Sequence, residues 1–378
     1  MPSDPTPPAP VFPDSYRTAR RLFRAAAHEA GATLDEIRNP RGPGPDDTEL
    51  CADIAWAGPP GATRVLFCVS GTHGIEGYCG SAIQAGLLRS GFGASLPADT
   101  ALLMLHALNP HGFASFRRVN EDNIDVNRNF VDHGHRPHNE SYPELHNALV
   151  PDHWSGGART AADRSLAEYA GRHGRRALQA AVTGGQWTHP DGLFYGGTGP
   201  CWSHQVLREV VRTRLIQASH VGYIDLHTGL GERGAGEPIF RGGRDPDAPG
   251  RARRWYGPAL TISEEGTSSS TPIAGNTATA VADELAWLGP ERLLTAITLE
   301  FGTLDGGQVL TALRADNWLH TRGFRAVPDG SAKSLADDIR AQMIAAFYPD
   351  DQTWRDSVWR RAVQVFYQAR AGLRMAAA

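Results

Sequence analysis

RVLFCVSGTHGIEGYCGSAIQAGLL, residues 64–88, decides how the chain is read. Arg64 to Ser70 is a short apolar run with β-branched and aromatic members that ends at a glycine, which predicts a strand buried on both faces. After the loop Gly71 to Gly77, the segment Ser81 to Leu88 is predicted to be helical, and Ala101 to Ala107 (ALLMLHA) reads as the next buried strand. Strand, loop, helix and strand form a βαβ unit, the building block of an α/β sheet.

Working outward, Val221 to Leu226 (VGYIDL) and Leu293 to Leu299 (LLTAITL) repeat the pattern of a buried strand running into a polar motif. Ligands of open α/β sheets gather beyond the carboxyl ends of the strands, so motifs at four such ends can converge. Leu50 to Trp56 alternates loosely, as a neighbouring strand would. Ser15 to Ala30 has helical spacing at Leu22, Phe23, Ala26 and Ala27 against a basic outer face, and Gly31 stops it. Residues 131–200 are rich in Gly, His, Pro and Asn, with one helical island at Ala161 to Val182; they read as an insertion over the site within a single domain spanning 14–378. Asp245 to Arg254 and Glu264 to Asn276 read as loops. From Ala332 the pattern is helical, with Trp354, Trp359 and Phe366 available for packing.

Composition narrows the function classes. Hydrophobic content of 41% and charged content of 21% over 378 residues suit a globular protein with a large core. The net charge is -4 and Lys333 is the only lysine. The arginines are scattered among acids rather than gathered into a stripe, which argues against nucleic acid as a partner. Residues 1–13 are proline-rich and are expected to be a loose tail, neither signal peptide nor membrane anchor. No apolar run approaches the roughly 18 to 20 residues of a membrane span. Cys51, Cys68, Cys79 and Cys201 follow no CxxC spacing, and reduced thiols in a cytoplasm are the expectation.

The chemistry-bearing residues lie where the strands end. His73-Gly74-Ile75-Glu76 offers an imidazole and a carboxylate, both suitable zinc ligands. Asn109-Pro110-His111-Gly112 leads through Arg117-Arg118 to Asp125-Val126-Asn127-Arg128-Asn129-Phe130, where clustered arginines suit bidentate capture of a carboxylate and polarisation of a carbonyl. Asp225-Leu226-His227-Thr228-Gly229 places a histidine at a rigid strand end, with Asp225 available to fix its tautomer. Glu300 emerges from an apolar strand, where desolvation raises proton affinity toward the range useful for general base catalysis. The histidines His133, His135, His138 and His146 lack matched ligand spacing and read as solvated loop residues. Phe194, Tyr195 and Trp202, within DGLFYGGTGPCW, read as packing beneath the insertion or as a wall of the cleft.

Together, His73 and Glu76, the Asn109-Pro110-x-Gly112 turn, Asp125-x-Asn127-Arg128-Asn129-Phe130, His227 and Glu300 resemble, in order and strand context, the zinc carboxypeptidase superfamily. GTHGIEGYCGSAIQ, IDLHTGLG and LEFGT look like a bacterial branch of it, related to the succinylglutamate desuccinylase and aspartoacylase group. The resemblance spans Gly71 to Thr303. It implies an α/β fold with a mixed, twisted eight-stranded sheet flanked by helices, of the phosphorylase/hydrolase-like kind. It also implies one Zn2+ held by His73, Glu76 and His227, Arg118 stabilising the oxyanion, Asn127 and Arg128 gripping a substrate carboxylate, and Glu300 as base. The implied substrate is a small peptide or an N-acyl amino acid, cleaved at an amide next to a free carboxylate. A catalytically inactive protein that holds peptide or cell-wall fragments is the reading of a different class. The tyrosine that carboxypeptidases carry on a mobile loop has no clear place here: Tyr256 is a candidate, and the Ser268 to Asn276 loop offers none.

Overall fold

In the computed structural model, residues 9–242, 245–323 and 331–375 are described. The elements run in order α1 (Tyr16–Glu29), β1 (Thr33–Arg38), β2 (Cys51–Ala57), β3 (Arg64–Val69), α2 (Gly77–Arg89), β4 (Thr100–His106), α3 (Pro110–Ala114), α4 (Tyr142–Leu149), α5 (Gly156–His173), α6 (Arg175–Thr183) and α7 (Trp202–Arg214). They continue with β5 (His220–Arg233), β6 (Gly236–Phe240), α8 (Ala248–Tyr256), α9 (Thr277–Leu288), β7 (Leu293–Gly302), α10 (Gly306–Trp318), α11 (Ser331–Phe347) and α12 (Gln352–Met375).

The strands form one mixed sheet in the order β1-β2-β4-β3-β5-β7-β6. It has seven strands among the described residues, where eight were expected. The four central strands β4, β3, β5 and β7 are parallel, and β2 and β6 run antiparallel to them. Their residues alternate between two cores: Leu66, Cys68, Leu102 and Met104 pack into one, Val65, Phe67, Leu103 and Leu105 into the other. A strand buried on both faces has no polar side to show, which is why RVLFCV and TALLMLH read as continuous apolar runs.

From β3 the chain crosses to β4 on one side, and the later strands β5 and β7 add on the other. The carboxyl ends of β3 and β5 therefore flank the topological switch point, where the outgoing loops diverge and leave a crevice. His73 follows β3, and His227 lies two residues past Asp225, the last β5 residue paired with β3; β5 itself runs on to Arg233 beside β7, beyond the expected strand end at Leu226, so the topology still brings both histidines to this crevice.

Several local expectations are revised. Helix α2 starts at Gly77 rather than Ser81, directly after Glu76. The helical island splits into α5 and α6 at Gly174, whose φ of 90° ends one helix and starts the other. The expected loop 245–254 contains most of α8, whose Ala248, Ala252, Trp255 and Tyr256 form a buried stripe too short to stand out among arginines. All four cysteines are buried free thiols. Residues 1–8 of the expected tail lie outside the described residues; at its end, Phe12 packs on Tyr348 with ring centroids 6.3 Å apart, and Tyr348 Oη donates to Pro13 O. None of the described helices is long and apolar enough to cross a membrane.

Candidate active site

The loop after β3 is held by close backbone contact. Gly74 N donates to Arg118 O and Ile75 N to Arg117 O, and a Cβ on Gly74 would lie 2.0 Å from the carbonyl carbon of Gly112. Only glycine lets the two loops touch, and this contact fixes His73 and Glu76 on either side of it.

His73, Glu76 and His227 then converge, each nearly fully buried. His73 Nδ1 is 2.9 Å from Glu76 Oε1, His227 Nδ1 is 2.9 Å from Glu76 Oε2, and the two Nδ1 atoms are 3.1 Å apart. The opposite ring nitrogens meet carboxylates. His73 Nε2 is 3.1 Å from Asp125 Oδ1; His227 Nε2 is 2.9 Å from Asp225 Oδ2, at ion-pair distance but outside hydrogen-bond alignment. Asp225 is in turn held by the hydroxyls of Thr72 and Thr277.

This donor set fits zinc. A tetrahedral ion with bonds of about 2.0–2.1 Å separates its ligands by about 3.3 Å, within a few tenths of an ångström of the spacings seen here. The candidate ligand atoms of all three residues lie within 4.8 Å of one another, so the two ring nitrogens and the carboxylate could share one cation. Asp125, bonded to His73 Nε2, would set that ring's tautomer with Nδ1 free to ligate, and Asp225 stands at ion-pair distance behind the second ring. Burial opposes charge on Glu76, but His73 and His227 outweigh it and hold the carboxyl far below the ordinary range. Burial likewise disfavours the His227 imidazolium, yet Asp225 and Glu76 reverse this and raise its pKa to about 10. The site thus attracts positive charge, as protons or as metal.

Glu300 faces the same point from β7, as the registered partner of His227 on β5. Its Oε1 accepts from Leu230 N at 3.0 Å. Burial, then the nearby Glu76, push its pKa up to about 7. Arg118 is clamped by two carboxylates: Nε donates to Asp125 Oδ2 at 2.9 Å and Nη1 to Glu76 Oε1 at 3.1 Å. Asp125, against burial, is kept ionised by Arg118, His73 and Arg128.

The structure brings His73, Glu76, His227, Glu300, Arg118, Asn127 and Arg128 to the wall of one cavity of about 820 Å³. Two of these are partly committed elsewhere. Asn127 Oδ1 accepts from Thr277 N at 3.0 Å. Arg128 donates Nε and Nη2 to Thr183 O and Nη1 to Asn127 O, which uses three of the five N–H groups of a guanidinium. Tyr256 is buried beside Trp255 and is not part of the cavity wall; no tyrosine lines it among the described residues. Phe194 does line it, with φ of 53° and the guanidiniums of Arg118 and Arg128 over its ring at 5.0 and 5.5 Å.

Sequence reasoning missed Arg241. It follows the short strand β6 and lines the cavity, with Nε, Nη1 and Nη2 donating to the hydroxyls of Thr298, Ser263 and Ser270. No carboxylate lies within ion-pair range of it among the described residues, and burial lowers its pKa despite the more distant Glu300, Glu264 and Glu237. A partly buried guanidinium whose side-chain partners among the described residues are hydroxyls keeps its positive charge available to an anion. β6 is five residues long and contains a proline, so nothing in the local pattern marked its end. In a second grouping of possible ligands, Glu36, Glu49 and Cys51, the two carboxylates are paired with Arg20, Arg24 and Arg38, and the Cys51 thiol donates to Glu49.

The family model described as "Protein of unknown function (DUF2817)" matches residues 12–361. No curated protein matches the chain in sequence. Among solved structures, bovine thrombin-activatable fibrinolysis inhibitor is similar at 13% identity over 93% of this chain and 97% of that one, with a TM-score of 0.41. Carboxypeptidase A from Helicoverpa armigera is similar at 12% identity over 89% and 74%, with a TM-score of 0.40. The succinylglutamate desuccinylase from Chromobacterium violaceum is similar at 15% identity over 87% and 74%, with a TM-score of 0.36.

Proposed function

Because the chain belongs to this family, whose description names no activity, its chemistry has to be read from its own residues, and we propose that it is a zinc-dependent hydrolase cleaving an amide bond next to a free carboxylate. The observation that carries the reading is the convergence of two imidazole Nδ1 atoms and the Glu76 carboxylate, with Asp125 and Asp225 behind the rings. When bound there, zinc supplies Lewis-acid polarisation of a carbonyl and lowers the pKa of a water toward about 7.

The remaining steps belong to the chain's own residues. Glu300, with Oε1 tied to Leu230 N, has Oε2 to take a proton from the attacking water and return it to the leaving nitrogen. Arg118 is locked by Asp125 and Glu76 so that its cavity side meets the developing negative oxygen without having to reorganise. The substrate carboxylate lies against Arg241, which has no carboxylate within ion-pair range among the described residues, with the two unspent N–H groups of Arg128 as the second contact.

The test is metal analysis followed by a substrate panel. Purified protein is expected to hold one zinc per chain, His73→Ala to lose it, and the zinc form to release amine from short peptides or N-acyl amino acids. Protein that binds no zinc, or zinc-loaded protein that releases amine from neither panel, overturns the proposal.

A further inference from the structure

The catalytic cluster occupies one side of the cavity, and the other side is mainly apolar, although Arg175, Arg176 and Gln179 of α6 also line it. Leu166 of α5, Leu178 and Val182 of α6, Leu310 and Leu313 of α10, and Phe347 of α11 line it. Leu178 and Leu310 stay only half-buried although each belongs to a helix packed over the sheet end. The cavity, at about 820 Å³, is near the upper end of the roughly 300–1,000 Å³ common for ligand pockets.

These walls are firmly built. Arg314 of α10 donates to Asp163 Oδ1 of α5 at 2.7 Å, to Leu149 O at 3.1 Å and to Ala148 O at 2.7 Å, and Trp154 stacks on Trp318. α6 is pinned by Gln179 Nε2 to Ser269 O at 2.9 Å. Phe194, beneath two guanidiniums, stands where the polar and apolar sides meet. The polar side around Arg241 is lined by Ser269, Ser270 and Thr298, so the carboxylate-bearing part of a substrate meets hydroxyls there. The apolar side is left for the group on the other side of the scissile bond.

Resting on the amidase reading, we infer that this group is an extended hydrocarbon chain and that the substrate is a long-chain N-acyl amino acid. Water adds across the amide: the acyl carbon gains a C–O bond, the C–N bond breaks, and the proton taken by Glu300 passes to the nitrogen. The products are a free amino acid and a fatty carboxylate.

The zinc-loaded full chain is to be assayed on N-acetyl-, N-hexanoyl-, N-decanoyl- and N-tetradecanoylglycine and on dipeptides with apolar carboxyl-terminal residues, and the zinc-free chain titrated with the acetyl and decanoyl compounds. Expected is a rise in kcat/KM of about twofold to fourfold per methylene until the compartment is filled, with tighter binding of the decanoyl compound in the same sense. Leu310→Gln and Leu178→Gln, either of which suffices if the other fails to fold, should cut decanoyl turnover at least tenfold and leave acetyl turnover in place. Equal rates for all chain lengths, or a preference for the dipeptides that these variants abolish, overturns the inference and leaves the amidase reading standing. If nothing is hydrolysed, the amidase reading fails by itself, and decanoyl binding no tighter than acetyl binding sinks the acyl compartment as well.

Discussion

His73, Glu76 and His227 are 3%, 1% and 3% exposed, and every one of their ligating atoms is engaged by a neighbour, whereas Leu178 and Leu310, across the same cavity, are half-buried and offer it only methyl groups. The first set hangs from strand ends tied by backbone contacts; the second stands on helices that cover the sheet end from outside. In the proposed reading, chemistry that needs atoms placed to a few tenths of an ångström sits on the rigid sheet, and shape selection, which tolerates more error, sits on the helices. On this division, changes at the sheet end alter the rate for every substrate, and changes on the helices alter which substrate is preferred.

The largest effect expected is at Glu300. Glu300→Gln keeps the size and the Leu230 contact but cannot carry a proton, so turnover should fall by about 10²–10⁴-fold on all substrates while zinc content is unchanged. The same residue gives the pH dependence. The base works as a carboxylate, so activity falls as pH drops through its pKa; that value is about 7 through burial and Glu76, and a cation on the triad offsets the Glu76 contribution and moves the acid limb below 7. A Glu300→Gln enzyme as active as the parent breaks the sheet-end half of the comparison.

Asp125 comes next. Asp125→Asn leaves the three ligands in place but weakens the carboxylate behind His73, and zinc affinity should drop by about 10–100-fold in a chelator competition. The drop should be the same whichever acyl chain is bound. A change in chain-length preference instead would mean that the two regions are not separable.

The residues on the sheet end were largely legible because each motif is local and follows an apolar run: His73 and Glu76 after β3, His227 in β5, Glu300 in β7. Their partners were legible in part. Asp225 stands two residues from His227 and could be named, but the tie from Asp125 to His73 crosses 52 positions and only the tertiary fold makes it. Arg241 was hidden for the same reason, as one arginine among many after a strand with no readable pattern. β1 escaped notice because TLDEIR is mostly exposed at the sheet edge and carries no apolar alternation. The apolar wall was the least legible feature: α5 carries little amphipathic periodicity, α6 an ordinary one, and sequence does not say whether such a face meets a core or a cavity.

That last ambiguity can be resolved by stability, with the smallest effect of the series. Leu299 in β7 is 0% exposed, and Leu299→Ala should cost about 2–5 kcal/mol, as for other leucines whose removal leaves a void in a closed core. Leu310 already borders open space, so Leu310→Ala removes fewer contacts and merely enlarges a cavity that water reaches; a cost of about 1 kcal/mol is expected by urea denaturation, with the m-value unchanged. A Leu310→Ala loss as large as that of Leu299→Ala would show that the helix face is part of the core, and the region assigned to substrate selection would then have no wall of its own.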